Sequence, residues 1–395
     1  MAAINFVGKK SIRVGSHLRL KFDYWLALAV AGLLVIGMLM IYSTTFDYGV
    51  LLQDGDATYY FRRQLLALAI GLAAVLVIMQ FDYHLLRQFS VIMLVGTLLL
   101  LLITLFLGET IFGARRGLSG GSYQPSEVAK LVTILYIAHW LSSKGDRIKD
   151  LTYGLVPFSV ITGVVCALIV RQPDLSTATL IAVISYSLFF VAGADWRQLG
   201  IAGIIGLVVF IILMLSLPHA RGRVDAYATA LRDPSQASWH VQQSLIALAN
   251  GGWLGVGLGE STQKFGLLPA AHTDSVFAVL GEELGLGGSL LVIGLLGILV
   301  WRGFRTARKA RDSYGFLLAL GITCWIAFQS LINIAVITAV VPFTGLPLPF
   351  LSYGGSSMAI SLIGMGILLN ISRDAAISTR IQGPRPRTPQ AGGGG

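Results

Sequence analysis

Ten apolar runs recur along this chain, most of them close to the roughly 20 residues a helix needs to cross a bilayer's hydrocarbon core. No other feature constrains the fold as much. In hydrocarbon every backbone N–H and C=O must find a partner within the chain, so such runs fold as helices. They lie at 24–43, 64–81, 90–107, 127–142, 155–170, 176–193, 199–217, 284–301, 315–340 and 357–372. They predict an all-α polytopic membrane protein with ten transmembrane helices and a long extracytoplasmic loop between helices 7 and 8. Composition agrees. Only 12% of the residues are charged, about half the share typical of soluble domains. Apolar residues make up 55%, and mean hydropathy is +0.76. These values exclude a disordered chain, a coiled coil and an ordinary soluble enzyme.

Loop charge sets the expected orientation. With the N-terminus inside, 19 of the 29 Lys and Arg fall in inside segments and 9 in outside segments, while Lys130 lies within a span. That bias predicts that both termini are cytoplasmic. It also accounts for the net charge of +10 without nucleic acid. The first run follows a short basic stretch and lacks a small-residue cleavage site, so it reads as a retained span. The expected organisation is a cytoplasmic segment 1–23, a membrane domain 24–372 and a disordered cytoplasmic tail 373–395, rich in Pro, Gly and Arg from Gln382. The outside segment 218–283 is too long for a plain connection and carries Gly251, Gly252, Gly255, Gly257 and Gly259. Cys166 and Cys324 sit in apolar runs and read as core packing. The six histidines show no zinc-site spacing, so any metal remains unknown.

Charge beside an apolar span is costly and invites a functional explanation. Four places stand out. In the first, Gly113 to Gly117 (including Arg115 and Arg116) precedes Gln124-Pro125-Ser126-Glu127. Pro125 suits a first helical turn, and Glu127 and Lys130 share a helix face. The pair is either a structural link between helices or part of a polar cavity, with the two arginines placed to meet phosphate. In the second, Asp174 stands after Pro173 at a span entrance, as a helix cap or a cavity group. The third is His272-Thr273-Asp274, shortly before Glu282 and Glu283. On one straight helix Asp274 and Glu283 would face opposite ways, so the three carboxylates cannot share a site there. The fourth runs from Pro342 to Ser357, where three prolines and three glycines prevent a regular helix. It reads as a cavity-lining loop or an ordinary outside loop.

These segments resemble the SEDS family (shape, elongation, division and sporulation), the bacterial FtsW and RodA proteins. The resemblance spans nearly the whole chain. It is carried by GARR with QPSE and Lys130, QPD at 172–174, Gln243-Ser244 before the glycine run, HTD with FAVLGEELG, Asn333-Ile334, and GLPLPF with SYGGSS. It implies a ten-span peptidoglycan glycosyltransferase that polymerises lipid II outside the bacterial cytoplasmic membrane. It further implies a class B penicillin-binding protein as transpeptidase partner, among other divisome or elongasome membrane proteins. The implied catalytic residue is Asp274, and Glu127, Lys130 and Asp174 line the implied cavity, with His272, Ser352, Tyr353, Gly354 and Gly355 in the matching motifs. Ser261 to Lys264, ahead of Leu268-Pro269-Ala270, resembles the FtsW pattern, whereas GLPLPF is common among RodA-like proteins. The FtsW-like branch is favoured, hence septal synthesis. The chain departs from the pattern at Ala270 and Ala271, at Ser275, at Ala249-Asn250 and at Gly117.

The implied chemistry suits these residues. An α-linked donor giving a β-1,4 product requires inversion, so one carboxylate must take the proton of the attacking hydroxyl. The leaving pyrophosphate needs positive charge, from Arg115, Arg116, Arg221, Arg223, Lys264 or a divalent cation. Two rival readings are a lipid II flippase and a structural division scaffold.

Overall fold

The structure, a computed structural model, describes residues 22–52, 55–111, 114–117, 123–233 and 237–381; the side chains of 52, 109–111, 114–117 and 377–381 are not among those described. Twelve α-helices account for most of the described residues: α1 Tyr24–Leu52, α2 Tyr59–Ile78, α3 His84–Leu107, α4 Pro125–Lys144, α5 Val156–Arg171, α6 Leu175–Val191, α7 Trp196–Ser216, α8 Pro218–Arg232, α9 Trp239–Gly251, α10 Val276–Lys309, α11 Ser313–Ile337 and α12 Gly355–Ile381. One small antiparallel hairpin interrupts the helical order, β1 Glu109–Ile111 with β2 Ala114–Gly117, and pairs Thr110 with Arg115.

Among the described residues, eight helical segments are long and apolar enough to span a membrane, and the chain is a polytopic α-helical membrane protein. Of the other expected spans, α6 has only 17 residues, and α4 carries Glu127 and Lys130. Both lie inside the bundle. α4 packs against α3, α6, α11 and α12, and most of its residues are buried. An enclosed helix meets protein rather than lipid, so its charges can be paired internally. α11 is similarly enclosed, with Leu317 to Ile326 buried throughout. By contrast α7 buries only Gln198 and Leu199 and presents the rest of its apolar surface outward.

Local signals explain several helix starts. Asp174 accepts from Thr177 N (3.2 Å) and caps α6. Asp195 and Gln198 form a capping box at α7. Asp312 caps α11 by accepting from Gly315 N (3.3 Å). Two expectations need correction at the chain's end and in the long loop. α12 continues to Ile381, so 373–381 is helical where a disordered tail is expected. Arg311 pairs with Asp374 at 2.9 Å and fixes that extension to the start of α11. Residues 382–395 lie outside the described residues. The segment 218–283 contains α8 and α9, and α10 begins eight residues before its expected start.

Candidate functional site

The glycine run has a concrete purpose. α10 is interrupted at Gly285 (φ +66, ψ −164), which would leave carbonyls without partners. The segment after α9 supplies them. Val256 N donates to Glu282 O (3.0 Å) and Gly257 N to Glu283 O (3.1 Å). In return Leu286 N donates to Gly252 O (2.9 Å) and Gly287 N to Trp253 O (3.2 Å). The two backbones lie so close that a Cβ on Gly255 would stand 2.1 Å from Glu283 O, and Gly255 also has φ +81. Only glycine tolerates both conditions.

The glutamates of α10 hold the same loop. Glu282 accepts from the Ser261 hydroxyl, from Thr262 Oγ1 (3.1 Å), Asn250 Nδ2 (3.2 Å) and Gln263 N (3.3 Å). Glu283 pairs with Lys264 at 3.1 Å, both groups being almost wholly buried. Lys264 also donates to Ser43 Oγ (3.0 Å). Lys264, expected among the substrate-binding residues, is therefore engaged in a buried ion pair that anchors the loop to α1 and α10. The three carboxylates divide as the straight-helix argument requires. Two fix the loop, and Asp274 lies outside α10 at the loop's end, two residues before Val276.

Asp274 lies where several elements converge. Asn333 Nδ2 of α11 donates to Asp274 O (2.8 Å) and to Leu346 O (2.7 Å), tying the two loops together. Between them sits Gly345 at φ +75, where a Cβ would come 3.3 Å from Asp274 Oδ2. Thr344 O accepts from Ser176 Oγ of α6 (2.6 Å) and from Arg223 Nη1 of α8 (3.3 Å). The Arg223 guanidinium stacks 5.4 Å over the Phe343 ring. On the other side of Asp274, Ser275 Oγ lies 2.7 Å from His240 Nε2 and donates to Pro269 O (2.9 Å). Beside this junction, α8, α9 and residues 339–343 enclose a cavity of about 550 Å³.

The remaining expected residues support this junction. Tyr353 N donates to His272 O (2.8 Å), and the His272 ring lies 4.9 Å from Tyr48, 5.7 Å from Tyr353 and 6.3 Å from Tyr60. Ser352 Oγ accepts from Leu348 N (2.8 Å), Gly354 N donates to Gln64 Oε1 (3.1 Å), and Gly355 begins α12. Leu346, Leu348, Phe350 and Leu351 are buried, so this irregular segment is packed within the bundle. Lys130 Nζ donates to Glu127 Oε1 and to Gln329 Oε1, each at 2.8 Å. Gln329 Nε2 in turn donates to Pro347 O (2.7 Å), next to the Asn333 bond. The pair thus links helices, as the structural reading has it, and is wired through Gln329 to the loop that faces Asp274. Asp174 is a cap, and its helix carries Ser176 to the junction. Arg115 and Arg116 lie in β2, and their side chains are outside the described residues. Gln329 and His240 escaped the sequence reading. Gln329 and Asn333 stand four apart on an apolar helix, and that shared polar face was the available signal. Among the described residues, no three His, Cys, Asp or Glu side chains cluster as metal ligands.

Burial pushes the His240 imidazole down to about 4, with the neighbouring Arg223 charge adding to the effect, and burial alone does the same for His272. Both rings are neutral in the folded protein at pH 7. In the unfolded chain they bind a proton near pH 6.5. Their contribution to stability is therefore complete above about pH 6.5 and is lost as pH falls toward 4. The melting temperature of the purified protein should fall across that window. Replacing both with Gln should flatten the dependence. An unchanged slope in the double variant rejects the assignment.

The chain is similar to known proteins over this whole region. The family model described as cell cycle protein, for FtsW, RodA and SpoVE, matches residues 24–377. A probable peptidoglycan glycosyltransferase FtsW of Trichlorobacter lovleyi is 38% identical over 356 residues, covering 89% of this chain and 93% of the relative. Stage V sporulation protein E of Bacillus subtilis is 40% identical over 355 residues, covering 89% and 97%. Among solved structures, a chain of a peptidoglycan synthase complex that coordinates polymerization and crosslinking superposes with a TM-score of 0.72 at 29% identity, covering 90% of this chain and 99% of that one. The rod shape determining protein RodA of Thermus thermophilus gives 0.66 at 28% identity, covering 90% and 98%. With the match running from the first span to the last, the chain belongs to the FtsW/RodA/SpoVE family of cell cycle proteins.

Proposed function

We propose that the protein is a peptidoglycan glycosyltransferase that polymerises lipid II into β-1,4 glycan strands, with Asp274 as general base. One observation carries the reading. Asp274 lies against the 342–354 loop where α6 and α11 reach it, and Arg223 of α8, which lines the neighbouring cavity, is bonded to Thr344 of the same loop. A base and a cation held by the same loop suit an inverting transfer from pyrophosphate. The acceptor 4-hydroxyl gives its proton to the Asp274 carboxylate as its oxygen attacks the donor's anomeric carbon. The bond from that carbon to the pyrophosphate oxygen breaks, and the lipid pyrophosphate leaves with its charge facing Arg223. The names of the relatives support the chemistry, and the FtsW-named relatives favour a septal role. Likeness to a synthase complex that couples polymerization to crosslinking supports a class B penicillin-binding protein as partner. The excess of inside Lys and Arg supports placement in the bacterial cytoplasmic membrane, with both termini cytoplasmic and the site on the far side.

The test uses purified protein with its transpeptidase partner and detergent-solubilised lipid II. Glycan strands should form without any sealed membrane. A flippase or scaffold gives none, and that result ends the proposal.

Gly345 offers a finer check. Alanine at φ +75 costs roughly 1 kcal/mol, and its Cβ presses on Asp274 Oδ2. Gly345→Ala should slow polymerisation tenfold or more while the melting temperature moves only slightly. Equal loss of both would reduce Gly345 to a purely structural residue.

A further inference from the structure

We propose that the groove between α8 and α9 holds the prenyl chain and phosphate of the lipid-linked donor, with the phosphate drawn to Arg223. This rests on the reading that the donor is a lipid-linked saccharide.

The groove is built by residue choice. Gly222, Ala226 and Ala230 follow one another at four-residue spacing along one face of α8, so they form a floor without bulk. A Cβ added to Gly222 would meet nothing within 4 Å. Val241 and Leu245 of α9 and Phe343 form apolar walls around the 550 Å³ of space. Tyr227 holds α8 in place by donating to Val340 O (2.6 Å), so the gap does not depend on a loosely attached helix. A hydrocarbon chain bound between these apolar walls gains dispersion contacts along its length.

Two features select the occupant. The first is access. α8 starts two residues after α7 ends, and α7 turns nearly its whole apolar surface outward. A chain lying along α7 in the bilayer can enter at Pro218 without crossing water. The second is charge. Arg223 sits on the groove face of α8 and reaches Thr344 O, whose neighbour Gly345 lies so near Asp274 that a Cβ there would stand 3.3 Å from its Oδ2. A permanent cation at the end nearest the base suits phosphate or pyrophosphate. A partner helix fits poorly, because a helix about 10 Å across would fill such a volume in little more than one turn.

The test measures binding of geranylgeranyl pyrophosphate to the detergent-purified full chain. Geranylgeraniol and inorganic pyrophosphate serve as separate probes. Gly222→Phe fills the floor and should weaken both prenyl probes tenfold or more. Arg223→Gln should weaken geranylgeranyl pyrophosphate about tenfold and leave geranylgeraniol unchanged. If Gly222→Phe does not fold, Ala226→Leu replaces it. Equal binding of the prenyl probes to the filled variant and the wild type overturns the proposal. So does an added transpeptidase that displaces the probe and is itself lost from the filled variant, since the groove then belongs to the partner. Wild-type protein that binds the probe but makes no glycan defeats the catalytic reading alone. A filled variant that polymerises lipid II with unchanged KM defeats the groove alone.

Discussion

Asp274→Ala should abolish lipid II polymerisation, a loss of about 10²–10⁴ in rate if the carboxylate is the base, while the protein stays folded in the membrane. The geometry explains why the two effects separate. Asn333 holds residue 274 through its backbone carbonyl, and that bond survives loss of the side chain. Helix α10 starts only at Val276, with Ser275 as its N-cap. Asp274→Asn sharpens the test. It keeps the volume and one acceptor oxygen but has no useful basicity, so a general base predicts the same loss. Partial activity in Asn with none in Ala would point to orientation of the acceptor rather than proton removal. Near-normal polymerisation by Asp274→Ala, at wild-type melting temperature, removes Asp274 from the chemistry.

Much of this arrangement is legible in the sequence, and the exceptions have physical reasons. Apolar length marks a lipid-facing helix well, and α7 is the clearest case. It marks enclosed helices too, as at α4 and α11, but it does not show that α4 is surrounded by protein and carries a buried ion pair. The motif residues pointed to Asp274 and to the irregular 342–354 segment, but not to how they are joined. That joining depends on side chains that seek backbone carbonyls, as Gln329 does at Pro347 and Asn333 at Leu346. A carbonyl leaves no mark in the sequence. Lys264 misled for the related reason that a basic residue in an outside loop looks available for anions, whereas tertiary folding buries it against Glu283. The break at Gly285 was equally hidden, since it becomes tolerable only once residues 252–257 pair across it. His240 belonged to no motif, and only the approach of α9 to Ser275 gives it a place.

Lys130→Met should destabilise the protein by about 3–5 kcal/mol, the usual cost of removing one partner from a buried ion pair. Lys130 is wholly buried, and its ammonium meets Glu127 at 2.8 Å, Gln329 at 2.8 Å and the Trp325 ring at 5.3 Å. Without it, Glu127 is left in the bundle with Oε1 deprived of its donor and Oε2 already lacking a hydrogen-bond partner. Exposed ion pairs are worth little, but this carboxylate is buried. The double variant Glu127→Gln with Lys130→Met should recover most of the loss, because the stranded charge is gone. Thermal melting in detergent compares the three proteins. Activity should behave differently. Gln329 loses the ammonium that orients its carbonyl oxygen and keeps only Trp325 Nε1 at 2.7 Å, so its hold on Pro347 weakens in both variants. Stability is then rescued while polymerisation stays low, because the 344–347 loop against Asp274 has lost its brace. A Lys130→Met protein that melts like the wild type would overturn the ion-pair account. A double variant that recovers stability and activity together would confine the pair to holding helices and detach it from the site.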